Sequence, residues 1–461
     1  MTETAERPRE TPPSGGGLDS YFKISERGST VGIEVRAGIT TFLVMSYIIF
    51  VNPAILAPAW EISDISPGAI AAGTALVAGV LSIAMGIFAK YPLAMAAGLG
   101  LNAAVAFGLV LTDGLSPEGA MGVIVIEGLV VALLVLVGLR EAIMNAVPLS
   151  LKRAIGVGIG LFILFIGFVT GGLIGLGVEE APVNFVFPNS PEAWTTLIGL
   201  LIVVLLHARR VPGAVIISII VTAMVALLLG VASVPENFAV TPRFDTLGQF
   251  DLGNVFSVLG PLAAALTIFS FMLTDFFDTM GTATAIVEQA ELTEPDGSIP
   301  DVGTLLFVDS LGAAAGGAAG VSSNTSYIES AAGVAEGGKT GLTSVVVGIL
   351  FLIGIFVSPL AELVPRAATA PALILIGFLM AGLIRGIDFL DFEEGFPALL
   401  TIVLMPLTFS ITVGIGAGFV MYTLIKVVKG KIADIHPLMW VVASAFLVYF
   451  AQAVLGAAIS A

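Results

Sequence analysis

The sequence contains no cysteine and only two histidines, His207 and His436, among its 461 residues. Without cysteine there is no disulfide framework and no thiol chemistry. With so few histidines, a metal site built from histidine and cysteine is not expected. The chain also carries no nucleophile–base–acid set and no phosphate-binding loop, so we expect neither an enzyme nor a protein cofactor.

Charge is equally scarce. Only 11% of the residues are charged, whereas 57% are hydrophobic and the mean hydropathy is +1.06. A soluble domain usually carries about 25% charged residues, so these few cannot cover a water-exposed surface. We therefore expect an all-α integral membrane protein in the lipid bilayer, with no nucleic-acid partner. The net charge of −16 fits a solvated acidic surface or an adaptation to high external salt, and both readings stay open.

Apolar stretches long enough to cross the bilayer, which takes about 20 residues, recur along the chain. They predict fourteen spans in two sets of seven: 36–55, 68–89, 92–112, 119–138, 154–176, 194–208 and 212–232, then 253–280, 302–320, 322–337, 341–361, 371–387, 395–429 and 437–458. The stretch 395–429 is long for one span, and two half-length helices are the alternative there. The spans 92–112 and 322–337 are rich in glycine and small polar residues, which predicts broken helices.

The termini and the basic residues predict the orientation. Residues 1–20 are rich in proline, glycine and charge, which predicts a disordered tail and not a secretory signal. Basic residues mark the cytoplasmic side of a membrane protein, so the amino terminus is expected in the cytoplasm and the protein in the plasma membrane. The residues behind this expectation are Lys23, Arg27, Arg36, Arg140, Lys152, Arg153, Arg209 and Arg210. Lys426, Lys429 and Lys431 conflict with a single crossing at 395–429.

A weak internal repeat relates the two sets of spans. The shift that places Asn102 on Glu329 also places Thr40, Phe42 and Met45 on Thr267, Phe269 and Met272. Because each set has an odd number of spans, the two halves must have opposite orientations. Inverted repeats with broken helices near the midplane recur in transporters.

Acidic residues inside spans are costly and usually functional. The run T-D-F-F-D-T-M-G-T, residues 274–282, places Asp275 and Asp278 on one helical face and also holds Thr279. Two carboxylates buried together repel, so one retains a proton or a cation joins them. The run therefore predicts ion coupling and substrate contact; the alternative is a helix end with ordinary solvated acids.

Two small-residue runs complete the predicted site. In G-V-S-S-N-T-S-Y-I-E-S-A-A-G, residues 320–333, a half-helix starting near Ser323 would point N–H groups at a ligand, with Ser326 nearby, and the Glu329 carboxylate could accept N–H bonds from a heterocycle. In A-A-G-L-G-L-N-A-A, residues 96–104, Gly100 allows close backbone approach and the Asn102 amide can read a purine edge. The alternative is helix packing through small residues.

Two further acids, Glu127 and Asp309, are interpreted as structural, because either can hydrogen-bond a neighbouring helix and hold the scaffold.

The motifs resemble one known family. The opening L-D-S-Y-F-K-I-S-E-R-G-S-T, residues 18–30, the run E-V-R-A-G-I-T-T-F-L-V-M-S-Y-I-I-F-V-N-P, residues 34–53, and E-G-G-K-T-G-L-T, residues 336–343, are similar to the AzgA-like adenine/guanine/hypoxanthine permeases. Residues 274–282 and Y-I-E-S-A-A-G resemble that branch too. It belongs to the nucleobase–cation symporter 2 (nucleobase–ascorbate, xanthine–uracil permease) superfamily, and the resemblance covers roughly residues 18–459.

The resemblance implies seven-plus-seven inverted repeats with a core and a gate domain. Asn102, Asp275 and Glu329 fall on purine-contacting positions and Asp278 on a supporting acidic position. Members are generally proton symporters, often homodimeric, that move the core against the gate like an elevator. The expected units are 1–20 (tail), 21–138 and 253–361 (core), and 139–252 and 362–461 (gate).

Our hypothesis from the sequence is secondary active import of a purine base, coupled to H⁺ or, as the alternative, Na⁺. A uracil or xanthine permease of the same fold is the first alternative. An anion exchanger would want positive charge at the site, where the candidates are acidic. A channel would need a continuous polar pore, whereas the polar residues here concentrate at two midplane breaks.

Overall fold

The computed structural model describes residues 17–138, 146–178, 181–234, 241–294 and 298–460, and these residues are overwhelmingly helical. Within them, nine helices are long and apolar enough to cross a membrane, and four shorter apolar helices accompany them. The predicted polytopic helical membrane fold is thereby confirmed.

Several spans begin at the same short signal, a serine followed by proline. The Ser66, Ser116 and Ser190 hydroxyls each accept a hydrogen bond from the backbone N–H three residues on, in helices that begin with Pro67, Pro117 and Pro191. Serine satisfies a free N–H at the helix start, and proline at the first helical position gives up an N–H that would have no partner. The sequence thus fixes where these helices start.

The first half of the chain contains nine helices and three short strands in its described residues. Their bounds are α1 (Gly17–Phe22), α2 (Val31–Met45), α3 (Ile48–Trp60), α4 (Pro67–Ala84), β1 (Met95–Ala97), α5 (Leu99–Ala103), α6 (Pro117–Leu136), α7 (Leu149–Thr170), β2 (Ile174–Val178), β3 (Ala181–Phe185), α8 (Pro191–Ala208) and α9 (Ala214–Leu228). Wider π-helical turns extend α4 through Met85–Ala89 and α5 through Ala104–Val110. Strands β2 and β3 form an antiparallel hairpin.

The second half repeats this plan. Its elements are α10 (Leu252–Leu259), α11 (Pro261–Gln289), α12 (Val302–Ala318), β4 (Asn324–Ser326), α13 (Ser330–Ala335), α14 (Gly341–Gly354), α15 (Arg366–Ala381), α16 (Phe392–Thr408), α17 (Ile411–Val428) and α18 (Pro437–Ser460). Tight 3₁₀ turns over Ile355–Leu363 and Gly382–Gly386 extend α14 and α15.

The two broken spans meet each other. Strands β1 and β4 pair antiparallel, with Met95 opposite Ser326 and Ala97 opposite Asn324. The repeat alignment that places Asn102 on Glu329 also places Ala97 on Asn324, so the last residue of β1 aligns with the first residue of β4 and the two strands lie in neighbouring places of the two halves. An inverted repeat predicts this arrangement, because a two-fold axis would pass through the ladder.

Helix packing follows the same symmetry. Helix α14 packs on α4, and in the same way α12 packs on α6. Helices α7 and α15 pack on each other in a second group of helices, which also contains α8, α9, α16 and α17. Glycines allow these close approaches: a Cβ on Gly377 would lie 2.4 Å from the Gly160 carbonyl oxygen, and one on Gly348 would lie 2.5 Å from the Gly79 carbonyl oxygen. Small residues let membrane helices approach closely.

The structure corrects two predicted boundaries. The stretch 395–429 is not one span but two helices, α16 and α17, which turn at Phe409 in the left-handed region (φ 52°). In the second half, α16 packs on α7 and α17 packs on α16. In the first half, α8 packs in the same way on α15, and α9 packs on α8. Helices α16 and α17 therefore complete the second set of seven, and α18 follows as an additional helix.

The other correction concerns the amino-terminal tail. The span predicted at 36–55 lies within one membrane-length helical stretch, Val31–Ser63, in which a turn at Ser46–Tyr47 separates α2 from α3. Residues 17–20, predicted as part of the tail, begin α1, and the rest of the tail lies outside the described residues, as do Arg140 and the pair 179–180. The core and gate boundaries stay predictions.

Candidate functional site

The crossing of β1 and β4 is the centre of the candidate site. Backbone bonds extend the ladder at both ends, from Gly98 N–H to the Ser323 oxygen (2.8 Å) and from Tyr327 N–H to the Ala94 oxygen (2.9 Å). Non-helical backbone in the hydrocarbon must find partners inside the protein, and these short strands satisfy each other. Helix α13 begins only at Ser330, seven residues after the start expected near Ser323.

Asn102 lies on α5, directly after β1, and is fully buried. Its Nδ2 donates to the Asn52 Oδ1 at 2.7 Å, and Asn52 in turn donates to the Thr74 hydroxyl and the Val321 carbonyl oxygen. The Asn102 Oδ1 has no partner in the described part of the chain. One buried acceptor therefore remains available, and one N–H of this amide is used by the scaffold.

Glu329 lies directly before α13, on the other side of the crossing. Its Oε1 accepts a hydrogen bond of 2.5 Å from the Tyr47 hydroxyl. Tyr47 is only 2% exposed, whereas Glu329 is partly accessible. A charged-group hydrogen bond of this kind orients the carboxylate and lowers the cost of its charge. Tyr47 directly precedes α3 and Asn52 lies within it, so this part of the chain contacts both broken spans.

Asp275 on α11 is 2% exposed, and its Oδ1 has no hydrogen-bond partner among the described residues. Helix α11 packs on β4, on α13 and on α5, so it faces both broken spans. The structure thus places Asn102 and Glu329 directly beside the crossing strands, and Asp275 in a buried position on the helix that packs on both broken spans.

Asp309 on α12 holds β4 to α11. Its Oδ1 accepts two bonds from Ser326, from the N–H at 2.9 Å and the hydroxyl at 2.8 Å, and its Oδ2 accepts one from Thr279 at 2.6 Å. Since the Thr279 proton is used on Asp309, the Thr325 hydroxyl donates to Thr279 at 2.7 Å. The sequence indicated Thr279 and Ser326 as substrate contacts; in this conformation both hydroxyls are engaged by Asp309.

A polar, accessible stripe runs along α11. The exposed residues of this membrane span include Asp278, Gly281, Thr284 and Glu288. A Cβ on Gly281 would meet no atom of the described residues within 4 Å. Carboxylates within spans usually face water or protein and not lipid, so we expect this stripe to contact water.

Gly100, another predicted contact, meets a different neighbour. A Cβ there would lie 2.2 Å from the Ile159 Cγ2 on α7. The glycine therefore lets α7 approach α5 closely, and in this conformation it faces a side chain of the second helix group.

Sequence reasoning missed several residues at this site, notably Tyr47, Asn52 and Thr325. Tyr47 and Asn52 are polar side chains within an otherwise apolar span, and that contrast could have singled them out. Their contacts join residues hundreds of positions apart in the chain, which local patterns do not reveal.

Comparison with known proteins identifies the family of this chain. The sequence pattern of the family described as "Permease family" matches residues 32–417. The chain belongs to this family. The adenine permease AdeQ of Escherichia coli (strain K12) is 40% identical over 94% of this chain and 95% of its own. The guanine/hypoxanthine permease PbuG of Bacillus subtilis (strain 168) is 39% identical over 94% of this chain and 99% of its own.

Solved structures share the fold at low sequence identity. The transmembrane domain of the cyanobacterial bicarbonate transporter BicA matches with a TM-score of 0.60 at 15% identity, over 84% of this chain and 97% of that chain. SLC26A9 matches with a TM-score of 0.60 at 13% identity, over 90% of this chain and 67% of that chain. These structures show the fold that the chain shares. The family and the permease relatives show that it is a transporter, not an enzyme.

Proposed function

We propose that this permease carries purine nucleobases, namely adenine, guanine or hypoxanthine, across the membrane. The observation that carries the proposal is that the elements bearing Asn102, Asp275 and Glu329 pack together around the crossing of the broken spans. Relatives that match nearly the whole chain are named adenine and guanine/hypoxanthine permeases, which supports the same substrate class.

The available polar atoms suit a flat heterocycle with N–H groups. The carboxylates of Asp275 and Glu329 are acceptors, and so is the free Oδ1 of Asn102. Tyr47 uses one acceptor site on Glu329 and leaves the others for a ligand. A base that presents N–H groups on two edges would satisfy these acceptors, whereas an anion would be repelled by the two carboxylates.

We further propose import by proton symport with an elevator motion of a core against a gate. In this proposal the helices around the crossing form the core, and α7, α8, α9, α15, α16 and α17 form the gate. The contact of Gly100 with Ile159 then lies on the sliding surface between the two. In this proposal the exposed polar stripe below Asp278 is the route between the site and one side of the membrane, and the motion of the core opens the site to the other side.

The distribution of basic residues supports a cytoplasmic amino terminus in the plasma membrane. If α16 and α17 are separate spans, the start of α2 and the carboxyl ends of α8, α15 and α17 lie on the same side of the membrane. The basic residues at these helix ends are Lys23, Arg27, Arg36, Arg209, Arg210, Arg385, Lys426, Lys429 and Lys431. Basic residues favour the cytoplasm. The split removes the conflict that a single crossing at 395–429 creates. On this assignment the stripe opens to the cytoplasm.

Uptake of radiolabelled bases into cells that lack purine transport tests the proposal. A panel of purines, uracil and xanthine at two external pH values separates the substrates, and replacing Na⁺ by choline separates H⁺ from Na⁺ coupling. Glu329→Ala should abolish uptake. Glu336→Ala is the matched control, because Glu336 pairs with Arg36 at the exposed end of the same half-helix.

Undiminished purine uptake by Glu329→Ala would contradict the proposed site. Preferred uptake of uracil or xanthine would favour the pyrimidine or xanthine alternative. Uptake that does not saturate and does not depend on a gradient would favour a channel. Dimerisation, implied by the family resemblance, is measured separately by the mass of the purified protein in detergent.

A further inference from the structure

Glu127 of α6 belongs to a second group of buried polar atoms next to the crossing. It is 0% exposed, and neither of its carboxyl oxygens has a hydrogen-bond partner in the described residues. The Ser323 hydroxyl, also 0% exposed, and the Asp275 Oδ1 lack partners as well. Native proteins rarely leave buried polar atoms unpaired, and each such group calls for an explanation.

Ser323 connects the two carboxyl groups. Its hydroxyl lies near enough to interact with both Glu127 and Asp275, although not at regular hydrogen-bond geometry in this conformation. It belongs to the irregular segment that leads into β4, and its carbonyl oxygen is fixed by the N–H of Gly98. A serine hydroxyl is both donor and acceptor, so it can pass a proton from one carboxyl group to the other.

The titratable groups that face Glu127 are all acidic. They are Asp309 from α12 and Asp275 from α11. The two other segments that pack on α6, α10 and the turn over Ala104–Val110, contain no titratable residue. Asp309 already accepts three hydrogen bonds, which suits a charged carboxylate. Glu127 accepts none.

A charged carboxylate at Glu127 would therefore be buried without donors and beside further negative charge. Burial of an unpaired ion costs several kcal/mol even after relaxation. A proton on Glu127 removes that cost, and the resulting O–H group can donate to Ser323. The site thus favours one bound proton shared over the Glu127–Ser323–Asp275 chain.

We propose that Glu127 holds the transported proton and exchanges it with Asp275 through Ser323. Asp275 in its acid form gives its proton to the Ser323 oxygen, while Ser323 gives its own proton to the Glu127 carboxylate. One O–H bond breaks and one forms at the serine oxygen, and the net charge does not change. Asp275 is then a carboxylate that can accept an N–H bond from the base, so proton storage and substrate binding fall on different residues.

This inference rests on the proposed purine transport, and two assays in proteoliposomes separate the two ideas. Counterflow of labelled hypoxanthine, without a gradient, reports substrate binding and the carrier motion. Accumulation driven by an imposed pH gradient reports proton coupling. Absence of hypoxanthine, adenine and guanine counterflow in the wild-type protein would overturn the proposed function itself.

Glu127→Gln imitates the protonated side chain and cannot release a proton. We expect counterflow within about twofold of the wild type and a loss of gradient-driven accumulation of about tenfold or more. Glu127→Asp is the matched control, since it keeps a titratable carboxyl and should retain part of the coupling. Wild-type accumulation and pH dependence in Glu127→Gln would overturn the inference.

Ser323→Ala is a second, smaller change that decides the question if Glu127→Gln does not reach the membrane. It removes one oxygen and keeps both carboxyl groups. We expect reduced accumulation at an unchanged substrate affinity, and wild-type coupling in this variant would also overturn the relay. Accumulation that follows a Na⁺ gradient and ignores the pH gradient would do the same.

Discussion

Replacing Tyr47 with phenylalanine removes one hydroxyl and one hydrogen bond, the 2.5 Å contact to the Glu329 carboxylate. Tyr47 is 2% exposed, so water does not readily take over the lost donor. A hydrogen bond to a charged group contributes about 1.5–3 kcal/mol. Without it, the carboxylate costs more to keep charged in the bilayer, and the charged form is the one that accepts N–H groups from a base.

When the whole lost hydrogen-bond energy is taken from substrate binding, Tyr47→Phe weakens the affinity for the base by about 10- to 150-fold. This range follows because about 1.4 kcal/mol of binding free energy corresponds to a factor of ten in affinity. Direct binding of labelled hypoxanthine to the purified protein, with uptake in cells as a second readout, measures this. Tyr21→Phe is the matched control, because its hydroxyl donates at 3.0 Å to the Ile87 carbonyl oxygen at the periphery. Equal affinity in Tyr47→Phe and the wild type would refute the reasoning.

Two further changes probe packing and surface charge. Gly377→Ala should destabilise the protein by about 1–3 kcal/mol through overpacking, because the new Cβ would lie 2.4 Å from the Gly160 carbonyl oxygen. Gly382→Ala is the control, since its Cβ would meet no atom of the described residues within 4 Å. This control should leave the melting temperature in detergent unchanged. The Lys339 ammonium hydrogen-bonds Glu291 at 2.7 Å and lowers the pKa of that carboxyl below its usual value. This contact therefore adds stability above the ordinary titration range of glutamate and loses it as the pH falls through the lowered pKa, so melting temperatures of the wild type and Glu291→Gln should differ slightly at neutral pH and converge in acid.

Local patterns were enough to predict much of the fold. Hydropathy located the spans, because a helix of about 20 apolar residues is stable in the hydrocarbon core of the bilayer and would expose too much apolar surface in water. The glycine-rich and polar runs around Asn102 and Glu329 correctly indicated broken helices. The turn at Phe409 was harder to place, since 395–429 is apolar on both sides and its prolines also lie inside helix α16.

Contacts across the chain set the limit for the site. The acid at 275 and the acid at 329 were indicated because charge inside a span is rare and costly. The uses of Thr279, Ser326 and Gly100 depend on partners from distant helices. Asp309 binds the first two, and Ile159 packs against the third. Residue type alone cannot tell a hydroxyl that binds a ligand from one that supports a carboxylate.

The ladder between β1 and β4 makes each half of the protein depend on the other. A fragment ending before residue 250 would carry Met95–Ala97 into the hydrocarbon without its partner Asn324–Ser326. Those peptide groups would have neither water nor a neighbouring strand. A half-length ancestor of this fold would therefore have had to assemble as two antiparallel copies, each completing the backbone of the other. Gene duplication and fusion would then have joined the two copies, which already needed each other to complete the backbone hydrogen bonds of their short strands.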